Sequence, residues 1–348
     1  MNTQRPSQTV RSRPGRSLPC VAACALVVTA GCSQAHAFSP RGDRDTVRTG
    51  AFVGDGDYAR GFARHARTTG RPPELLLNFT SWAQRGVLPF PEDFCRFAIE
   101  RAVIPIITWE PWEPWSGWYP RLADIAAGAE DERIGQWAAR ARQLPGTVLL
   151  RFAHEMNGDW YPWSVRKDPA QRPEDYVAAW RRIHELFERQ RADNVQFIWC
   201  PNFEPVDNIA FHYPGDDVVD WVGLDVYNHP EWPRPPGPLI DPIYRFAAQR
   251  DKPVLLTEVG SAEKFAPVPG RGPLNPWRSK SRWIEALFRE VAARPDIPKW
   301  HGYLLTTDSN VRDFGLYVMG EQLSPDVSIV VWRKLHFRAR AFPSCGKR

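Results

Sequence analysis

The sequence predicts an α/β fold, a closed (β/α)8 TIM barrel in a single domain. Eight short runs of apolar, β-branched or aromatic residues recur along the chain, and helical patterns fall between them. The runs are too uniformly apolar to have a face in water, which is typical of parallel strands covered by helices. With 348 residues, 43% of them hydrophobic, the chain is long enough for one large core.

The eight runs define the predicted strands in order. They lie at residues 51–53, 75–79, 103–108, 148–152, 195–199, 218–224, 254–257 and 302–305. The clearest helix is predicted at 173–191, where Tyr176, Trp180, Ile183 and Phe187 share one face. The same spacing recurs at Ile134, Trp137, Ala138 and Ala141, and at Trp283, Ile284, Leu287 and Val291. Ser324-Pro325 is typical of a helix start, with an N-cap followed by proline.

Residues 1–37 are predicted to be an export signal. Four arginines precede the apolar run 21–30, which is too short to span a bilayer as a mature helix, and Ala35-His36-Ala37 is typical of a cleavage site. A second route is open, because Thr29-Ala30-Gly31-Cys32 resembles a bacterial lipobox that would leave a lipid on Cys32. The protein is therefore expected to be secreted, or lipid-anchored on the outer side of a bacterial membrane.

The rest of the chain is assigned to a short linker, residues 38–48, and the barrel domain, residues 49–348. The formal net charge is +5 for the whole chain and +1 without the four arginines of the leader (5 − 4), which argues against a nucleic-acid partner. Outside the leader only Cys95, Cys200 and Cys345 remain, so at most one disulfide can form among them. We expect a monomer that needs no cofactor and no metal.

Polar residues that end the strands are the candidates for chemistry, because barrels of this kind carry their sites at the C-terminal ends of the strands. Glu155 follows the fourth strand and Glu258 follows the seventh. Two carboxyl groups flanking one bond are what glycoside hydrolysis needs. The other polar or aromatic strand-end residues are Trp109, Glu110, Trp112, His154, Asn202, Asp225, Tyr227, Asn228, Thr307 and Asp308.

Aromatic residues are the unusual part of the composition, with 16 Trp. Trp112, Trp115 and Trp118 lie in a loop whose prolines and glycine disfavour a helix, and they are interpreted as an aromatic wall of the cleft. Others lie on apolar faces and are assigned to the core: Trp180, Trp199, Trp283 and Trp332. Asp216, Asp217 and Asp220 could form a cation site, although Asp is common in a turn before a strand.

Three segments, residues 151–163, 221–228 and 253–260, resemble glycoside hydrolase family 26, a clan A family dominated by β-mannanases. The resemblance covers about residues 50–316. It implies a retaining enzyme with Glu155 as the acid/base and Glu258 as the nucleophile. His154 fills the position before the acid/base, where the family has a histidine. The resemblance further implies that Tyr227 holds the nucleophile by a hydrogen bond and that Trp160 contacts sugar. Trp109 and Glu110 resemble the strand-three pair that contributes to the cleft.

The mechanism sets expectations for the two glutamates. Glu155 must be protonated when substrate binds, so its pKa is expected to be raised by its aromatic surroundings and by ionised Glu258. Glu258 must carry its charge. A retaining site predicts carboxyl groups about 5–5.5 Å apart.

The substrate remains open from sequence. The family's aromatic residue after strand eight is displaced or absent here, where the chain has residues 303–308 followed by Asp313-Phe314. A β-1,4-mannan cleaved internally is the expected substrate, with β-1,3-1,4-glucan, xylan or an exopolysaccharide as alternatives. A hypothesis of another class is a non-catalytic glycan-binding lipoprotein at the cell surface, motivated by Cys32 and the Trp-rich loop.

Overall fold

The computed structural model describes residues 48–54, 57–83, 90–207, 209–229, 231–262, 275–294, 301–306, 317–318 and 322–323. All of them lie in the compact unit His36–Arg348. The predictions for the leader, most of the linker, Thr307-Asp308, Asp313-Phe314, Ser324-Pro325, Trp332 and Cys345 lie outside the described residues. Among the described helices, none combines the length and the apolar character needed to cross a membrane.

Eight parallel strands close into a barrel in chain order, with the first strand paired to the eighth. This confirms the predicted fold class. The strands are β1 Arg48–Phe52, β2 Leu75–Ser81, β3 Ile104–Glu110, β4 Val148–Phe152, β5 Val195–Trp199, β6 Trp221–Asn228, β7 Val254–Ser261 and β8 His301–Thr306. The strands β3, β6 and β7 extend further than predicted, because their polar C-terminal residues continue the strand pairing.

Helices follow the strands and cover the outside of the barrel. They are α1 Tyr58–Thr69, α2 Glu92–Ile99, α3 Leu122–Ala126, α4 Asp131–Ala141, α5 Pro173–Arg189, α6 Pro236–Ala248 and α7 Lys280–Ala292. The predicted helix at 173–191 ends two residues early, and Arg191 takes a positive φ of 57°. Two 3₁₀ turns, Ile209–His212 and Pro276–Arg278, and a small antiparallel pair, Tyr317–Val318 with Gln322–Leu323, complete the described elements.

Side chains alternate between the inside of the barrel and the helix layer, as the period of a strand requires. Leu149, Ile106 and Leu255 belong to the small apolar cluster of the interior. Their neighbours Leu150, Ile107 and Leu256 belong to the larger cluster shared with the helices. Trp180, Trp199 and Trp283 are buried in that larger cluster, as predicted.

The interior becomes polar towards the C-terminal ends of the strands. Arg151 and Thr108 each lie two residues beyond an inward apolar residue of the same strand, and Asp225 occupies the equivalent inward position on β6. The two described cysteines, Cys95 and Cys200, are buried and form no disulfide. The sheet therefore directs a set of buried charges to the edge of the barrel where the sequence predicted a site.

Candidate active site

The chain turns sharply where β4 ends and thereby positions Glu155. Ala153 and Glu155 have positive φ angles of 44° and 53°, a left-handed conformation that costs about 1–2 kcal/mol for a residue with a side chain. The backbone N–H of Glu155 donates to the Cys200 carbonyl at 2.8 Å, which ties the turn to β5. Such contacts hold the two residues in a strained conformation that places the carboxyl at the barrel mouth.

The Glu155 carboxyl is almost completely buried and receives two hydrogen bonds. The Asn202 amide donates to Oε1 at 2.5 Å, and the Trp160 indole N–H donates to Oε2 at 2.7 Å. Burial and, after it, the charge of Glu258 raise the pKa of Glu155 to about 7, against the two hydrogen bonds, which lower it. Near neutral pH this carboxyl can therefore act both as a proton donor and as a proton acceptor.

A β-bulge in β7 directs Glu258 inward. The register with β6 shifts so that Leu224 pairs with Leu256 but Asp225 pairs with Glu258, which leaves Thr257 as the extra residue. Thr257 and Glu258 consequently both reach groups inside the barrel, although they are consecutive.

Two donors hold the Glu258 carboxyl. The Arg151 guanidinium donates to Oε1 at 2.5 Å, and the Tyr227 hydroxyl donates to Oε2 at 2.6 Å. Burial, followed by the charge of Glu258, raises the pKa of Tyr227 well above its ordinary value, so the phenol keeps its proton and remains a donor. Both contacts stabilise a negative charge on Glu258 and fix its orientation.

Arg151 is a site residue that the sequence analysis missed. Its side chain is fully buried, its Nη1 lies 2.8 and 2.7 Å from the two Asp225 oxygens, and its Nε donates to Thr108 Oγ1 at 2.9 Å. A cation at an inward position of an apolar strand was the available signal, because such a charge needs buried partners.

His154 lies beside Glu258 without a hydrogen bond to it. Its Nε2 is 3.8 Å from Glu258 Oε1, and its ring packs 4.8 Å from the ring of Tyr161. Burial lowers the pKa of His154 well below its ordinary value, and the nearby charge of Arg151 lowers it further. The imidazole is therefore neutral and presents a polar edge to the floor of the site.

Glu110 places a third carboxyl close enough to Glu258 for the two charges to interact. Its Oε2 accepts from Ser81 Oγ at 3.0 Å and from the Trp112 indole at 3.3 Å. Burial raises its pKa against these two hydrogen bonds. A contact of Glu110 and Trp112 with substrate stays a prediction.

Two predicted substrate contacts are corrected by the structure. Trp109 is fully buried and stacks on Trp137 of α4 at 4.3 Å, because strand alternation turns it outward when Glu110 turns inward. Asp225 is also fully buried, and its oxygens bind Arg151 and Thr257. Trp109 is therefore part of the core, and Asp225 is the buried counter-ion of Arg151.

The three tryptophans predicted to form an aromatic wall of the cleft, Trp112, Trp115 and Trp118, lie in different environments. Residues 113–118 form a small hairpin closed by a bridge between Glu113 and Trp118, not a helix. Trp112 packs edge-on against Tyr161 at 5.7 Å, whereas Trp115 is 70% exposed. Trp118 is half-buried and packs against the core with the Arg133 guanidinium 5.9 Å from its ring.

The best candidate for a metal site among the described residues is His154, Asp225 and Glu258, whose ligand atoms lie within 4.8 Å of one another. Arg151 binds both of these carboxylates, and its positive charge opposes a cation there. The aspartates near residue 217 are engaged separately, since Asp217 pairs with Arg181 and Asp220 accepts from the Phe197 backbone.

Comparison with known proteins identifies relatives of this chain. The sequence profile described as Glycosyl hydrolase family 26 matches residues 127–266, which include Arg151, Glu155, Tyr227 and Glu258. Endoglucanase H of Acetivibrio thermocellus is 27% identical over 256 residues, covering 70% of this chain and 26% of the relative. Mannan endo-1,4-beta-mannosidase A and B of Caldalkalibacillus mannanilyticus is 36% identical over 124 residues, covering 34% of this chain and 23% of the relative.

The chain thus spans about a quarter of the length of these two curated relatives. Among solved structures, a GH26 beta-mannanase from Bacteroides ovatus superposes with a TM-score of 0.61 at 18% identity, covering 85% of this chain and 90% of that chain. At this identity the likeness shows the common fold.

Proposed function

We propose that this chain is a retaining endo-β-1,4-mannanase of glycoside hydrolase family 26, whose profile matches residues 127–266. The observation that carries the proposal is the contrast between the two strand-end glutamates. Burial keeps Glu155 protonated up to about pH 7, whereas Arg151 and Tyr227 stabilise a charge on Glu258. This pairing of an acid with a held carboxylate is the one that a retaining glycosidase uses.

In the first step Glu155 donates its proton to the oxygen of the scissile glycosidic bond. Glu258 attacks the anomeric carbon as the bond to that oxygen breaks, so a covalent glycosyl ester forms and the leaving sugar departs with a hydroxyl group. Arg151 pairs with the ionised Glu258 before this step and contacts an ester oxygen after it. Asp225 remains the counter-ion of Arg151 throughout.

In the second step Glu155 has become a carboxylate and takes a proton from water. The water oxygen attacks the anomeric carbon, the ester bond breaks, and Glu258 regains its charge beside Arg151 and Tyr227. A pKa near 7 suits Glu155 to both steps, because neither protonation state is strongly disfavoured at neutral pH.

The test is hydrolysis of mannan, lichenan and xylan by the purified protein, by Glu155→Ala and by Glu258→Ala. Each substitution is expected to reduce kcat at least ~1,000-fold, because each removes a group that forms or breaks bonds. Glu185→Ala, on the outer surface of α5, is the matched control and should retain full activity. Undiminished hydrolysis in either active-site variant would overturn the proposed roles.

A second candidate keeps the reaction and changes the polymer. The relative named endoglucanase favours a β-glucan such as mixed-linkage glucan, and the same panel distinguishes glucan from mannan, xylan and exopolysaccharide. The non-catalytic glycan-binding alternative is disfavoured, because a binding protein has no need for two buried glutamates in opposite environments. Labelling of Glu258 by a fluoro-sugar would exclude it.

We also propose that the protein is exported, on the basis of the basic and apolar leader. Mass spectrometry of the mature chain from culture medium and from membranes separates the two routes. A chain that begins at Phe38 supports secretion, and a lipid on Cys32 supports anchoring. An intact leader in a cytoplasmic fraction would contradict both.

A further inference from the structure

Among the residues that the structure describes, the large exposed aromatic side chains lie in loops at the barrel mouth. Four large hydrophobic side chains of the described residues are exposed, namely Trp115 at 70%, Trp160 at 43%, Phe211 at 67% and Trp232 at 42%. They follow β3, β4, β5 and β6, which are adjacent strands, and all four lie at the end of the barrel that carries Glu155 and Glu258. Exposed aromatic rings in the loops beside a candidate active site are typical of a binding surface.

The loop after β6 holds one of these side chains in a defined arrangement. Trp232 stacks on His229 at 4.2 Å with an interplanar angle of 22°, and Phe203 lies 6.0 Å away. The Arg234 guanidinium lies 4.8 Å from the Trp232 ring and is itself paired with Glu204 at 2.5 Å. We call Phe203, His229, Trp232 and Arg234 the aromatic platform. Phe203 is itself buried, so Trp232 provides the exposed aromatic surface of this group.

The aromatic platform adjoins the candidate active site through the chain itself. Phe203 directly follows Asn202, whose amide donates to Glu155. His229 lies two residues after Tyr227, the donor to Glu258, and their rings are 6.3 Å apart. The platform is thus tied to both glutamates on the β5–β6 side, whereas Trp160 lies on the β4 side.

From this arrangement we propose that the aromatic platform binds a further sugar ring of the β-linked polysaccharide that Glu155 and Glu258 cleave, an inference that rests on the proposed function. A pyranose ring presents axial C–H groups that pack on an aromatic face. The partly exposed side chains of Arg234 and Glu204 offer a donor and an acceptor for its hydroxyls. Because stacking and the ion pair already order the platform, little side-chain entropy is lost on binding.

The proposal predicts that Trp232 matters for polymers and not for short substrates. Trp232→Leu should lower kcat/KM for soluble mannan about 3- to 10-fold, the range expected for one aromatic contact, and leave hydrolysis of an aryl disaccharide glycoside unchanged. Trp232→Phe keeps an aromatic face and should retain most of the polymer activity. Phe97→Leu, a half-buried ring on α2, is the control and should affect neither substrate.

Retardation in gels that contain mannan, lichenan or xylan provides a readout that does not depend on turnover. Wild type should be retarded by its substrate polymer, and Trp232→Leu should be retarded less. Equal losses on long and short substrates, or full polymer activity and retardation in Trp232→Leu, would overturn the platform. The wild-type protein could be retarded through Trp232 and yet hydrolyse none of the polymers. That outcome would support the platform and contradict the proposed reaction.

Discussion

At the residue scale, the two glutamates differ because of the groups that contact them. Glu155 is buried and receives hydrogen bonds from the neutral donors Asn202 and Trp160, so burial dominates and its pKa rises. Glu258 contacts a guanidinium instead. A few side-chain contacts therefore give two chemically identical residues the different roles of acid and held carboxylate. The residues that contact Glu258 are all distant from it in the sequence.

The Trp160 hydrogen bond yields a prediction about pH. The indole N–H stabilises the carboxylate form of Glu155, so Trp160→Phe should raise the pKa of Glu155 above about 7 and move the basic limb of the kcat/KM profile to higher pH, by about one unit. Trp115→Phe, on the exposed hairpin, is the control. A basic limb that stays in place or moves to lower pH would contradict this role of Trp160.

Arg151 is expected to position Glu258 through its planar fork. A lysine keeps the charge but cannot contact Asp225, Thr108 and Glu258 together, so Arg151→Lys should reduce kcat about 100-fold, the loss expected from misplacing a reacting group. It should also destabilise the fold by a few kcal/mol, because Asp225 loses part of its buried pairing.

The control for that prediction is Arg294→Lys. Arg294 also joins two carboxylates, those of Asp241 and Glu290, but in the helix layer. Unfolding and kinetics measured for both variants separate the effects. If Arg151→Lys lost stability without a larger loss of kcat than Arg294→Lys, Arg151 would have only a structural role.

At the element scale, the loop after β4 and the bulge in β7 bring the reacting groups to the mouth. The loop uses two left-handed residues, Ala153 and Glu155, and then Gly158, whose backbone is covered by the Trp160 ring. The bulge turns Glu258 inward next to Thr257. Both departures from regular structure occur at a strand end, where they disturb little of the barrel pairing.

A substitution at Gly158 tests whether the conformation of the loop after β4 matters for activity. A Cβ there would lie 2.6 Å from two carbons of the Trp160 indole, so Gly158→Ala should displace this partly exposed ring and weaken its hydrogen bond to Glu155. We expect about a 10-fold loss of kcat/KM, equivalent to about 1.4 kcal/mol. The free energy of unfolding should fall by less than about 1 kcal/mol, because a surface ring can move.

Gly135→Ala is the matched control within α4. Its Cβ would meet only the Gln190 amide at 3.8 Å, so the substitution should stabilise the helix by up to about 1 kcal/mol and leave activity unchanged. Wild-type activity in Gly158→Ala would show that the position of Trp160 does not matter.

At the scale of the whole molecule, closure of the barrel brings β4 and β7 to one mouth although Glu155 and Glu258 are far apart in the chain. If their carboxyl groups are about 5–5.5 Å apart, hydrolysis retains the anomeric configuration. Proton NMR of the first product from a defined mannooligosaccharide measures this. An inverted product would contradict the proposed mechanism and indicate a spacing of about 6.5–9.5 Å.

Sequence reasoning was most accurate where the pattern is local. The predicted bounds of β4 and β5 agree with the structure to the residue, because mainly apolar runs between polar segments define them. Trp109 was misassigned although the alternation of side chains with Glu110 already places it on the opposite face. Neighbouring residues of a regular strand cannot both face the cleft.

What the sequence by itself determined is the eight-stranded pattern, the positions of Glu155 and Glu258 at two strand ends, and the aromatic character of the loops. Hydrophobic periodicity and the residues that interrupt it are properties of a local stretch of chain. Only the tertiary structure decided that Arg151 bridges Asp225 and Glu258, that β7 bulges before Glu258, and that Trp232 stacks on His229. These features depend on which strands and loops become neighbours, and on how much water they exclude, so no single stretch of sequence contains them.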